Sequence, residues 1–376
     1  MHYLAITTPT LQRSLTVLAG ICLTILLIQL ADRIQPRSYT FRWQNISSRF
    51  QLRVIWMSLG AIIVITILAG VGLIVGDYPI PASKAIATAL WDRNGEYDFI
   101  VNSLRFPRII VAILAGMCFA SSGLIFQSLI NNPLVSPDII GINSGAAVLA
   151  VAILAAGGNI AYLPYAAFLG ALLTAALIYL LSWKRGISAT RLVLVGIGIN
   201  AVLGAIITYI TIKYPIERVI AAARWQAGTL FGATWDDART LSIGLLLLLP
   251  PAFFLTTRLR ILQLGDETAI TIGSKIERDR LALLAVASLL AALAVSVVGP
   301  LGFVALIVPQ AARLLLGSIT GGVLIFTALL GGVFLLGADL IAQRLFAPVM
   351  LPAGVITATF GGPYFLYLLA RYNRAN

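Results

Sequence analysis

The sequence predicts an all-α, polytopic membrane helical bundle, and three observations support this. Hydrophobic residues make up 60% of the 376 residues and charged residues only 11%, against about 45–50% and about 25% in a soluble domain. The mean hydropathy is +0.97. Apolar runs close to the roughly 20 residues that span a bilayer recur along the chain. Together these observations exclude an ordinary soluble enzyme and a disordered protein.

The first apolar run, 14–31, is about long enough to cross a membrane. A cleaved signal peptide is the other interpretation, but its positively charged region would consist of His2 and Arg13 alone, so a retained helix is favoured. The segment 32–53 then carries five arginines against one acid, which is typical of a cytoplasmic loop. Residues 1–53 are therefore predicted to form an extension with an extra transmembrane helix.

Ten further spans follow, and they form one predicted domain, 54–376. They fall near 54–76, 109–130, 141–157, 163–183, 192–212, 240–257, 281–299, 301–316, 322–342 and 352–370. Placing 32–53 inside the cell makes 131–140 a cytoplasmic loop and 77–108 an outer one. The cytoplasmic loops are rich in Lys and Arg, whereas the outer loops mix charges of both signs. This bias agrees with the positive-inside rule.

Ionisable residues are almost absent from the predicted spans, which argues against a carrier driven by protons. Asp339 is the exception, and it lies toward the outer end of its helix. A proton-coupled carrier usually needs a buried group that changes charge. A sodium site made of broken-helix carbonyls stays open as an alternative. The chain also lacks a phosphate-binding loop, so an active transporter of this kind would take its energy from another polypeptide.

The sequence contains no pattern typical of catalysis or metal binding. It has no HExxH, no GxSxG and no paired intramembrane carboxylates. Cys22 and Cys118 lie in apolar runs without partner ligands. We therefore predict no catalytic residue, no metal site and no cofactor. The net charge of +12 is spread thinly between apolar runs, which favours loop charge over nucleic-acid binding.

Two arginines lie where general rules disfavour them, at the outer start of the span near 109. Arg105 and Arg108 flank Pro107, which suits a first helical turn, and they share one face if that turn is helical. Positive charge here opposes both the helix dipole and the positive-inside bias. The pair is either a set of interfacial anchors that snorkel or a docking site for an acidic partner.

A second irregular segment, 264–273, interrupts the basic cytoplasmic loop 258–280 with two acids and two glycines. Asp266 is suited to cap a short helix that begins at Glu267, and Gly273 is suited to end it. The segment is either a solvated surface turn or a short rigid helix that docks into a cytoplasmic partner.

Several short motifs follow one another in a fixed order over about residues 54–372. They are RFPR at 105–108, NPLVSPDIIGIN at 132–143, LGDE at 264–267, GPLGFV at 299–304, PQAAR at 309–313, LPAGV at 351–355 and GPYFL at 362–366. In this order and spacing they resemble the FecCD family, which comprises permease subunits of bacterial ABC importers for iron-siderophores, haem and vitamin B12.

The resemblance implies a ten-helix permease subunit in the bacterial cytoplasmic membrane, paired with a second copy or a paralogue. A cytoplasmic ABC ATPase dimer would supply the energy, and a periplasmic or lipoprotein substrate-binding protein would deliver the ligand. Arg105 and Arg108 would then meet acidic residues of that binding protein. The family has a further outer arginine at the position of Gln343, so the neighbouring Arg344 is a third candidate docking residue.

The resemblance also implies that 264–273 is the coupling helix seated in the ATPase. The coupling residues would be Leu264, Gly265, Asp266, Glu267, Ala269 and Gly273. The span 192–212 resembles the pore-lining helix, with Asn200 as a candidate residue of the translocation path. A helix–helix hydrogen bond is the other interpretation of Asn200.

The predicted function is therefore the permease subunit of an ABC importer that moves a ferric siderophore and catalyses no reaction itself. The SPDIIG motif at 136–141 resembles the siderophore branch of the family. A haem or cobalamin permease is an alternative, as are an ion-coupled secondary carrier and a membrane scaffold from other classes. The sequence departs from the family at Gln310, where His is frequent, and at Met350, where Glu is usual.

Overall fold

A computed structural model describes residues 38–43, 46–76, 78–91, 95–184, 186, 188–345 and 351–375. The predicted N-terminal helix, 14–31, lies outside the described residues. The described chain begins with an antiparallel hairpin of β1 (Ser38–Trp43) and β2 (Ile46–Gln51), which pair from Ser38 with Gln51 to Trp43 with Ile46. The segment predicted as a basic loop thus contains two strands. The alternating aromatic residues of β1 are the period-two signal for a strand.

The rest of the described chain is helical. Its α-helices are α1 (Leu52–Ile74), α2 (Ala82–Leu90), α3 (Phe106–Leu129), α4 (Pro137–Ile140), α5 (Ile142–Ala156), α6 (Leu163–Ser182), α7 (Ala189–Lys213), α8 (Ile216–Gln226), α9 (Trp235–Leu262), α10 (Asp266–Thr271), α11 (Ile276–Val298), α12 (Val304–Leu316), α13 (Gly321–Arg344) and α14 (Ala353–Ala375). A π-helical turn, Phe99–Arg105, leads into α3, and a 3₁₀ turn, Ile160–Tyr162, leads into α6.

Each of the ten spans predicted from 54 onwards coincides with one of these helices, and the predicted helical membrane bundle is confirmed. Within the described ranges, seven helices are long and apolar enough to cross a membrane. Two others, α5 and α12, are apolar but shorter. At 1.5 Å per residue they fall well short of the roughly 30 Å of a hydrocarbon core.

Helix α3 forms the centre of the bundle. Of its most apolar stretch, 78% is buried inside the protein, against 11% for α7. Small residues along α3 let neighbouring helices come close. A Cβ on Gly116 would lie 2.6 Å from the carbonyl carbon of Gly331 on α13, and one on Gly123 would lie 2.7 Å from that of Ala305 on α12. The bundle is therefore packed around α3 at backbone-to-backbone distance.

Candidate functional site

The C-terminal end of α1 is capped by Arg105, the last residue of the π-helical turn. Its Nη1 donates to the carbonyls of Leu73 at 2.7 Å and Ile74 at 3.2 Å, and its Nη2 donates to the carbonyl of Tyr78 at 2.6 Å. Carbonyls at a helix C-terminus lack hydrogen-bond partners within the helix. A basic side chain there supplies donors and is also attracted by the negative end of the helix dipole. Arg105 thus holds the α1–α2 connection.

Arg344, the last residue of α13, reaches the same connection. Its Nη2 donates to the carbonyl of Gly76. The guanidinium of Arg105 passes directly over Gly76, where a Cβ would overlap it. Two of the three predicted docking residues therefore converge on one short segment, although 239 residues separate them in the sequence.

Arg108 forms an ion pair with Asp339, the one acidic residue noted within the predicted spans. Nε of Arg108 donates to Oδ2 of Asp339 and Nη2 donates to Oδ1, both at 2.8 Å. The side chains are 14% and 2% exposed. Gln343, one turn along α13, donates through Nε2 to Oδ2 of the same carboxylate at 2.8 Å. The two parallel bonds from Arg108 to Asp339 are the bidentate geometry, which is the strong form of an arginine–carboxylate interaction.

Arg105, Arg108 and Arg344 therefore lie together at the ends of α1, α3 and α13 that the sequence predicts to face outward, and this group is called the outer basic patch. The patch is built into the fold, because every one of its guanidinium groups also holds an acceptor inside the chain. Because Asp339 neutralises Arg108, the positive charge of the patch comes from Arg105 and Arg344, whose hydrogen bonds described above go to carbonyls. Gln343, the residue before Arg344, donates to Asp339 and not to the α1–α2 connection.

The segment 264–273, which the sequence predicts to lie on the cytoplasmic side, contains the short helix α10. The predicted cap was wrong by one residue, because the helix begins at Asp266 and Gly265 occupies the N-cap position with φ of +96°. Most residues predicted to couple are exposed, namely Leu264, Gly265, Asp266, Glu267 and Gly273. Ala269 instead faces the protein and is fully buried. It packs α10 onto the bundle and does not face outward.

Two large apolar residues of this segment were missed by the sequence analysis. Ile270 is 64% exposed and Ile272 is 57% exposed, beside Leu264 at 60%. Leu264, Ile270 and Ile272 thus place three exposed apolar side chains within nine residues of a charged loop. The available signal was their apolar character within a loop that is otherwise polar and basic.

Asn200 lies on α7 and accepts a hydrogen bond from Oγ of Ser144 on α5. Gly141, with φ of +103°, packs against it, since a Cβ there would lie 3.2 Å from that of Asn200. The structure thus contains the helix–helix hydrogen bond that was the alternative interpretation of this residue. Much of α7 beyond Asn200 is exposed in the isolated chain, including Ala201 and Val202.

The last residues of the predicted loop 131–140 enter the bundle, whereas Asn131 at its start is exposed. These last residues pack against Asn200, which lies 11 residues after the start of α7. That is about 16 Å of helix. Here Asp138 accepts hydrogen bonds from Nδ2 of Asn143 and from the backbone N–H of Phe303. Asp138 therefore joins the starts of the two short helices, α5 and α12.

A polar cluster around the buried Gln127 connects α12 to α3. Gln127 donates through Nε2 to the carbonyls of Leu306 at 2.9 Å and Ala305 at 3.3 Å. Arg313 donates through Nη2 to Oε1 of Gln127 and to Oε1 of Gln310 at 2.8 Å. The amide oxygen of Gln310 thus supplies a second side-chain acceptor for Arg313.

Comparison with known proteins agrees with this architecture. Residues 60–371 match the family described as the FecCD transport family. The ferric enterobactin transport system permease protein FepG of Escherichia coli (strain K12) is 38% identical, over 82% of this chain and 94% of that protein. The Fe(3+)-citrate import system permease protein YfmE of Bacillus subtilis (strain 168) is 38% identical, over 86% and 97%.

A solved structure supports the same relationship at the level of the fold. It is an inward-facing conformation of a metal-chelate type ABC transporter, with a TM-score of 0.74 and 25% sequence identity. The similarity covers 84% of this chain and 99% of the solved one.

Proposed function

The chain belongs to the FecCD transport family, and we propose that it is the permease subunit through which an ABC importer moves a ferric siderophore. The family match over residues 60–371 supports this proposal most directly. Relatives named for ferric enterobactin and Fe(3+)-citrate, each aligned over more than four fifths of this chain, favour a ferric chelate as the substrate. Iron carried inside its chelator needs no metal ligand from the protein.

In this proposal the permease resides in the bacterial cytoplasmic membrane and pairs with a second copy or a paralogue. A substrate-binding protein docks on the outer basic patch. A separate ATPase seats against α10, whose exposed Leu264, Ile270 and Ile272 support that contact. Asn200 and the exposed face of α7 contribute to the translocation path.

Transport then requires no covalent chemistry from this chain. ATP binding and hydrolysis in the partner change the relative stability of outward- and inward-open states, and each partner acts through its different affinity for those states. The cytoplasmic segment receives the motion and the outer patch receives the loaded binding protein. The side chains of the outer basic patch and of α10 contribute contact surfaces and charge for these partners.

Purification of the tagged protein from its native membrane tests this proposal. Mass spectrometry is expected to find a Walker-motif ATPase with it, and a substrate-binding protein in addition. Uptake of ⁵⁵Fe bound to citrate, a catecholate or a hydroxamate, with haem and cobalamin as competitors, identifies the chelate class. Recovery of the protein alone, in detergent that preserves a known ABC complex, would contradict the proposal and favour a secondary carrier.

The α10 surface gives a first prediction by mutation. Leu264→Asp combined with Ile270→Asp is expected to lower recovery of the ATPase at least about tenfold, since buried apolar anchors dominate interface energies. The measurement is ATPase recovered per mole of tagged permease. Ile216→Asp is the control, because Ile216 is 69% exposed on the outer helix α8. Equal recovery from all three proteins would contradict the coupling assignment.

The outer basic patch gives a second prediction. Arg105→Gln combined with Arg344→Gln is expected to weaken binding of the co-purifying binding protein about tenfold and to reduce its salt dependence. Binding is measured on immobilised permease complex over a range of ionic strengths, with ATPase recovery as the check on assembly. Arg239→Gln removes an outer arginine whose pair with Asp236 is exposed, and it should bind normally. Unaltered binding by the double variant would remove these two residues from the docking surface.

A further inference from the structure

A glycine with positive φ lies at each end of the coupling segment, α10. Gly265 has φ of +96° and Gly273 has φ of +86°, both in the left-handed region that glycine adopts without strain. The space that a Cβ would occupy at each position is open, with no described atom within 4 Å. Backbone hydrogen bonds close both ends of the six-residue helix, from the N–H of Ala269 to Gly265 at 3.0 Å and from the N–H of Ser274 to Ala269 at 2.9 Å. Side-chain contacts with the next helix then fix how it is oriented against the bundle.

Two consecutive residues of α11 hold those ends. Arg280 donates through Nη2 to Oδ1 of Asp266, the first residue of α10, at 2.7 Å. Asp279 accepts through Oδ2 from Oγ of Ser274, just beyond the end of α10, at 2.6 Å. The Arg280 side chain is 17% exposed, and Ser274 is 9% exposed. Ala269 fixes the middle of the helix against the bundle.

Helix α11 in turn contacts the centre of the bundle. Its residues from Ala287 to Val298 are nearly all buried. The hydroxyl of Ser122 on α3 donates to the carbonyl of Ala287 at 2.6 Å. A displacement of the start of α11 therefore reaches α3, around which the other helices pack.

We propose that Asp279 and Arg280 are positioning residues that fasten α10 at both ends to α11, so that movement imposed by the ATPase passes into the bundle instead of being lost as rotation at Gly265 and Gly273. This inference rests on the proposed coupling role of α10 and adds the residues that transmit its motion. One of the two contacts is an ion pair whose acid, Asp266, is half exposed, and the other is a single hydrogen bond from a hydroxyl, so neither contributes much to stability. Their loss is therefore expected to change coupling while leaving the fold and the exposed ATPase-binding residues in place.

The test uses the complete complex, purified with its ATPase and binding protein and reconstituted into liposomes. The probes are Mg-ATP and ⁵⁵Fe bound to the chelators secreted by the iron-starved native culture. The measured quantity is iron imported per ATP hydrolysed. Ser274→Ala and Arg280→Ala are each expected to lower this ratio about threefold, and the double variant about tenfold. ATPase recovery is expected to match that of the unaltered complex.

Matched variants separate positioning from simple structural damage. Arg278→Ala removes an exposed arginine two residues away on the same helix and should leave the ratio unchanged. Arg280→Lys keeps the charge but loses the planar fork, so it should restore the ratio only in part. Ser274→Ala removes one hydroxyl only. It therefore tests the contact with Asp279 in a complex that still contains Arg280.

Two results would overturn the inference. One is an unchanged iron-to-ATP ratio in the double variant with the ATPase still bound. The other is loss of the ATPase from Arg280→Ala, which would make Arg280 a docking residue. The proposed coupling role itself fails by a different observation, namely ATPase retained by the Leu264→Asp and Ile270→Asp double variant.

Discussion

Arg108→Met is expected to destabilise the protein by about 3–5 kcal/mol, because it leaves the carboxylate of Asp339 buried without its partner. That carboxylate is 2% exposed and accepts two hydrogen bonds from Arg108. Adding Asp339→Leu is expected to recover most of the loss, since a buried ion pair replaced by apolar side chains of similar volume is often neutral. The measurement is the denaturation midpoint of the purified protein in detergent.

Arg239→Met is the matched control, because its pair with Asp236 is largely exposed and should matter little. A single Arg108→Met variant as stable as the unaltered protein would show that the pair does not hold α3 to α13. The stable double variant also isolates docking. If it binds the co-purifying binding protein normally, Arg108 is not part of the docking surface, and only Arg105 and Arg344 stay assigned to it.

The helices were predictable because a span needs only an apolar run of sufficient length. The run 54–76 became α1, Leu52–Ile74, and the run 322–342 became α13, Gly321–Arg344. Lipid and protein neighbours both accept apolar side chains, so composition locates such a helix without knowledge of what surrounds it. The boundaries differed by a few residues, as they depend on local caps.

The partners of the charged residues were not predictable in the same way. Arg108 and Asp339 are 231 residues apart in the sequence, and each was interpreted alone, one as an anchor or docking residue and the other as a peripheral acid. Their pairing follows from the packing of α13 on α3. Similarly, the sequence predicted a helix at α10 from its acids and glycines, but the burial of Ala269 depends on which face meets the bundle.

The position of residues 138–141, just before α5, inside the bundle could not be predicted without the fold either. A polar stretch with two prolines, 132–138, is typical of a surface loop, and the sequence placed it there. The shortness of α5 and α12, 15 and 13 residues, was the available signal. Helices this short leave part of the membrane thickness to other backbone, and the contacts of Asp138 show how that backbone is satisfied.

Gly331→Ala is expected to cost about 3 kcal/mol of stability, because the backbones of α3 and α13 are in contact at this residue. A Cβ on Gly331 would lie 2.8 Å from the carbonyl carbon of Gly116 and would overlap its oxygen. The clash involves backbone on a central helix, so it cannot be relieved by a side-chain rotation. Overpacking of this kind usually costs about 1–3 kcal/mol and forces backbone shifts.

Gly337 offers a control on the same helix. No described atom lies within 4 Å of the position of its Cβ, and alanine favours a helix over glycine by about 1 kcal/mol. Gly337→Ala is therefore expected to leave stability unchanged or to raise it slightly. Both variants are compared by thermal denaturation in the same detergent. Equal midpoints would mean that α3 and α13 are held farther apart than backbone contact, and the tight packing assigned to the centre of the bundle would be wrong.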